Sequence, residues 1–153
     1  MKRFVLFLLG SFILSCNSCF ASNELSQQAT AFYSDNNFQK TMEMLAYLID
    51  RRGSMCSGSE LMTVLFEDDT HQKYYNQLRL DLINTLKSLG CESVIVQARG
   101  MLGISVSEIE CDYYDYLNGK EELAKLYHGE YMAQYSFAEF TNASLYAKLV
   151  SHQ

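Results

Sequence analysis

Between Asp69 and Gly90, apolar residues recur at Tyr75, Leu78, Leu82, Leu86 and Leu89. Steps of three and four mark one face of a 3.6-residue period and predict a long helix. Asp69 or Thr70 can accept backbone N–H groups at its start, and Gly90 can stop it in the left-handed conformation. The opposite face carries Lys73, Gln77, Leu80, Asn84 and Lys87, with Asn76 on its shoulder and Arg79 near the core edge. Upstream, Met42, Leu45 and Ile49, with Leu48 beside them, predict a helix over 41–52. Arg51 and Arg52 fall in its last turn, where cations suit the helix dipole, and Gly53 stops it. Ser57-Gly58-Ser59-Glu60 reads as a capping box opening a second helix through Leu61, Val64 and Leu65, with Glu67-Asp68-Asp69 as a solvated turn. After Gly90 the period changes. Ser93–Gln97 is β-branched and Leu102–Val106 alternates, so a hairpin is predicted with Ala98-Arg99-Gly100-Met101 as its connection.

Two short helices, a long helix and a hairpin form the order of a winged helix-turn-helix over 41–106. Residues 107–153 read as a C-terminal helical appendage. It has an aromatic segment over Glu110–Leu117, a turn at Asn118-Gly119 and a short helix over Glu121–Tyr127. A second capping box at Ser136–Glu139 opens a helix with Ala138, Thr141, Leu145 and Leu149 on one side. The expected fold class is therefore mainly α with a small β component. Seven of the eleven tyrosines lie in 107–153, and Tyr131 and Tyr135 are the candidate protein-contact residues. Residues 23–40 are polar and read as a linker.

Residues 1–22 admit two readings. A basic start, an apolar run from Phe4 to Leu14 and Cys19-Phe20-Ala21 have the layout of a secretory signal peptide. Ile13-Leu14-Ser15-Cys16 also looks loosely like a lipoprotein processing site. The alternative is a β-hairpin around Gly10-Ser11. Membrane contact follows only from the first reading.

Charge alters the picture in one respect. The chain carries −6, with −5 of it in 107–153. No segment is strongly basic, so electrostatics alone does not predict nucleic-acid binding, and an acidic tail fits a protein-contact surface. Cys16 and Cys19 form a CxxC without a second pair, and Cys56, Cys91 and Cys111 read as buried thiols. No His or Cys spacing fits a metal, and no nucleophile elbow, P-loop or dinucleotide fingerprint is present. The expectation is neither an enzyme nor a cofactor or metal protein, with no small-molecule substrate.

From Met44 to Tyr146 the chain resembles one bacterial family. The carrying strings are MLAYLIDRRG, SELMTVLFEDD, a long helix ending TLKSLG, VQARG, CDYYDYLNG and YHGEYMAQYSFAE. They are similar to response regulators related to the antibiotic-regulatory-protein activators. Those have an OmpR-type winged-helix domain followed by the start of a bacterial transcriptional activator domain. The resemblance implies a two-component-type transcriptional regulator acting in the cytoplasm on promoter DNA. It also implies a helical region supporting homodimerisation or contact with the transcription machinery. Only 40 residues precede Thr41, too few for a receiver domain, so the expectation is an output module without its receiver. The expected DNA-facing residues are Lys73, Asn76, Gln77, Leu80, Asn84 and Lys87, with Arg99 at the wing tip. Gln and Asn can read adenine, Leu80 a thymine methyl, Lys87 a phosphate, and Arg99 the backbone or minor groove. The alternative is a protein-interaction module of the same fold, without DNA binding and possibly exported.

Overall fold

A computed structural model describes residues 4–7, 13–16, 36–67, 70–120, 122, 127 and 131–151. Among the described residues the chain is mainly helical, with two small sheets. Helix α1 spans Asn36–Asp50, α2 Gly58–Phe66 and α3 Gln72–Ser88. Strand β3 (Cys56–Ser57) precedes α2, while β4 (Ile95–Ala98) and β5 (Met101–Ile104) follow α3. These strands form one antiparallel sheet in the order β3-β5-β4. The core is shared among Leu45, Leu48 and Ile49 of α1, Leu61 and Leu65 of α2, Leu78, Leu82 and Leu86 of α3, and Leu102 and Ile104 of β5. Each such side chain stabilises the fold by about 1.5–3 kcal/mol relative to exposure.

Both ends of the predicted long helix are instructive. It begins at Gln72, later than Asp69 or Thr70, after an N-cap at His71 whose ring stacks on Phe66 at 4.9 Å. Its end is a Schellman motif. Gly90 has φ +70°, the Cys91 N–H donates to the Leu86 carbonyl at 2.8 Å, and the Gly90 N–H to the Lys87 carbonyl at 3.0 Å. At the start of α2 the Ser57 hydroxyl accepts from the Glu60 N–H at 3.1 Å. The Glu60 carboxylate turns instead to α1, where it accepts from the Tyr47 hydroxyl at 2.5 Å and lies 3.6 Å from Arg51 Nε.

Several expected boundaries are corrected. Helix α1 starts inside the expected linker, because its first turn docks on α3: Asn37 Oδ1 accepts from the Tyr74 hydroxyl at 2.6 Å. Tertiary contact overrides the turn propensity of Asn36-Asn37. Arg51 and Arg52 lie beyond the helix in a turn, Arg52 with φ +52°. The hairpin is shorter than predicted. Ser93 and Val94 belong to a 3-10 turn (Glu92–Val94), Val106 to another (Val106–Glu108), and the connection is only Arg99-Gly100.

The segment after residue 106 is not purely helical. Strand β6 (Ile109–Cys111) runs parallel to β1 (Phe4–Phe7), which pairs antiparallel with β2 (Ile13–Cys16), giving the sheet order β2-β1-β6. Helix α4 (Asp112–Leu117) follows. Ser136 does not cap a helix; Ser136–Ala138 is a 3-10 turn, and α5 (Glu139–Ser151) continues from it. Most of the helix expected over Glu121–Tyr127, and most of residues 1–35, lie outside the described residues. Among the described residues, no helix is long and apolar enough to cross a membrane.

The C-terminal segment is docked on the helical core. Asp50, the last residue of α1, accepts from the hydroxyls of Thr141 at 2.7 Å and Tyr131 at 3.1 Å. The Asn142 side chain clamps the backbone of Tyr131 from both sides, accepting from its N–H at 2.9 Å and donating to its carbonyl at 2.6 Å. The Tyr114 hydroxyl donates to the Ile49 carbonyl. Among the described residues, every buried side-chain nitrogen or oxygen has a hydrogen-bond partner.

Candidate nucleic-acid interface

The outer face of α3 is built by the spacing that buries its other side. Tyr75, Leu78, Leu82 and Leu86 are buried, and Lys73, Asn76, Gln77, Leu80, Asn84 and Lys87 are consequently exposed. Leu80, 47 % exposed, sits in the middle of the polar row. Two side-chain amides are already held within the helix. Gln72 Nε2 donates to Asn76 Oδ1 at 3.1 Å, and Gln77 Nε2 donates to Asp81 Oδ1 at 2.9 Å. Those i,i+4 bonds orient the amides but also place the Asp81 carboxylate beside Gln77, where it opposes a phosphate-bearing ligand.

The hairpin tip stands beside this face. Arg99 is exposed and holds φ +30°, followed by Gly100 at +76°. A two-residue turn with both φ positive is of the type I′ class, whose first position favours Asn, Asp or Gly. Arg99 therefore violates a local rule at an exposed tip, the pattern expected where a side chain is kept for its chemistry.

Between α3 and the hairpin lies an open groove of about 510 Å³. Its lining includes Ser59, Gln72, Asn76, Arg79, Gln97 and Arg99, with no carboxylate among the described lining residues. Arg79 crosses the groove: its Nη1 donates to Gln97 Oε1 at 2.9 Å. Gly58 lets the start of α2 abut the floor, since a Cβ there would meet Tyr75 Cε1 at 3.2 Å. Burial pushes the Tyr75 hydroxyl pKa up, with Arg79 opposing the shift. Two cations, three amides and the Ser59 and Tyr75 hydroxyls, without a competing acid among the described lining residues, can bind an anionic, hydrogen-bond-accepting ligand.

The structure thus brings Asn76 and Arg99 to one groove and leaves Lys73, Gln77, Leu80, Asn84 and Lys87 along the adjoining helix face. Arg79 is the groove cation absent from the expected set, and Ser59, Gln72 and Gln97 join it there. Its signal was its position, four residues after Tyr75 and three after Asn76, which sets it on the shoulder between core and solvent.

Of the expected protein-contact pair, Tyr131 is corrected. Tyr131 is completely buried, its ring 4.7 Å from that of Tyr113. Its hydroxyl pKa is raised by burial and by the Asp50 carboxylate. Tyr135 is half-buried and stacks on Phe137 at 5.2 Å, and Phe137 meets Tyr47 edge-on at 5.2 Å. Tyr131 is therefore not an exposed anchor, while Tyr135 packs against Phe137 and stays partly exposed. Cys56, Cys91 and Cys111 are buried, and burial holds the Cys111 thiol up at about 12. Among the described residues, no cluster of His, Cys, Asp and Glu could hold a metal ion.

Compared with known proteins, the chain matches no family model, no curated protein and no solved structure.

Proposed function

We propose that this chain is a sequence-reading DNA-binding module of winged-helix type, with α3 as the recognition helix and β4–β5 as the wing. The observation that carries the reading is the groove between them, which gathers Arg79 and Arg99 without a competing carboxylate in a chain of net charge −6. In this reading Asn76, Gln77, Leu80 and Asn84 face base edges of promoter DNA in the major groove. Lys73, Lys87, Arg79 and Arg99 take phosphates on either side. Four cations predict modest affinity with a steep dependence on salt. The chain would act as a transcriptional regulator in the cytoplasm.

The test is a fluorescence-polarisation titration of the full chain against a random double-stranded DNA pool at about 50 mM salt. Binding that weakens sharply in Lys73→Ala/Arg99→Ala is the expected result. Absence of binding, or binding indifferent to that double substitution, would sink the reading. A second reading, an interaction module of the same architecture without DNA binding, is favoured by one observation: Leu80 and the acidic Asp81 interrupt the middle of α3. The same titration separates the two.

A further inference from the structure

A cleft of about 390 Å³ is lined by residues of α4 and α5 together with Arg52, and it shares no lining residue with the α3–hairpin groove. Tyr113 and Leu117 give it an apolar wall. Arg52 and Lys148 stand on its lining, with no carboxylate among the described lining residues. Lys148 is fixed there by donating to the Tyr116 carbonyl at 3.3 Å, with its Nζ 4.6 Å from the centre of the Tyr116 ring. At the rim stands Phe140, 88 % exposed. It is the most exposed large apolar side chain among the described residues, and a phenyl ring left in water beside an apolar-walled cleft marks a contact surface. Its chain neighbour Glu139 is exposed as well.

These two halves match each other. One surface offers an aromatic ring next to a carboxylate, and the adjoining surface offers an apolar-walled cleft with two cations. A patch that carries both knob and hole is self-complementary, the requirement for a two-fold contact between identical chains. We propose that this cleft seats a second copy of the same chain, each copy inserting Phe140 into the other's cleft. Glu139 then meets Arg52 and Lys148 of the opposite copy. This places self-association on α5 instead of on Tyr131 or Tyr135, and it does not depend on the DNA reading.

Sedimentation of the full chain over a concentration series tests it. The expected result is a monomer–dimer equilibrium. Phe140→Ala removes both knobs of the symmetric pair and raises the dissociation constant by about 100-fold or more, the factor of about 10 for one buried aromatic side chain taken twice. Ser144→Arg, an exposed position lining the cleft, blocks the hole without touching the core and has the same effect. Both side chains point away from the packed interior, so circular dichroism of the variants should match the parent. A parent chain that stays monomeric to about 100 µM, a range in which specific dimers assemble, would overturn the proposal. So would a dimer that persists in either variant, which would assign the contact to another face.

Discussion

The Tyr131 hydroxyl donates to the Asp50 carboxylate at 3.1 Å across 81 residues of sequence. One bond joins the end of α1 to the segment that follows α4. Because Thr141 shares the same carboxylate oxygen, two separate turns of the C-terminal segment depend on one acid.

Tyr131 should therefore behave as a core residue in mutagenesis. Tyr131→Ala is expected to cost about 3–5 kcal/mol, the range for emptying a buried aromatic site. Tyr131→Phe should cost about 1 kcal/mol, since the ring stays and Thr141 still serves Asp50. Urea unfolding measures both. Equal small losses would show that the ring is not packed as described.

Asp50 makes stability depend on pH with a definite sign. Burial raises its pKa above the ordinary value, against the lowering effects of its hydrogen bonds and of Arg51 and Arg52. A raised folded-state pKa means that the fold prefers the protonated acid. The contribution is fully present below the unfolded value of about 3.9 and is lost as pH rises through the folded one. Asp50→Asn keeps an acceptor for both hydroxyls and cannot ionise. The difference in melting temperature between variant and parent should move in the variant's favour as pH rises from about 4 to 7. A constant difference would contradict the assignment.

At the hairpin tip, stability and function should part. Arg99→Asn places a residue suited to positive φ in the turn and is expected to stabilise the fold by about 0.5–1 kcal/mol. The same change should reduce the slope of log affinity against log salt by about one unit in the DNA titration. Loss of both stability and affinity would mean that Arg99 supports the hairpin itself.

Arg79 is expected to act through phosphate. Arg79→Ala should weaken binding to all DNA sequences alike and lower the salt slope by about one unit. A change in sequence preference without a change in slope would instead place it at a base edge.

How far these features were legible depends on how local their causes are. Leu78, Leu82 and Leu86 declare a buried face because the period alone determines it, and Gly90 declares its stop because the Schellman turn lies within six residues. Val94 misled in the other direction. Its β-branched neighbours read as a strand, but its N–H donates to Cys91 and its carbonyl accepts from Ser105, so it closes a turn. Tyr131 could not be separated from Tyr135 or Tyr146 by composition, because what buries it is Asp50 and Tyr113. The strand at Ile109–Cys111 was hidden for the same reason: its pairing partner is at Phe4–Leu6. Arg79 lay between these cases. Its helical position set it at the shoulder, but only Gln97 on the hairpin determines which way it leans.

The parallel pairing of β1 with β6 sets a timetable for the emerging chain. Phe4 is made before Ile109, yet the edge it binds appears only when Ile109 has been made. At roughly 5–20 residues per second, that is a wait of about 5–20 s. Throughout that interval β1 lacks β6, although β2 is already available to it. Until then β1 can pair only with β2, and the edge that β6 later occupies stays open.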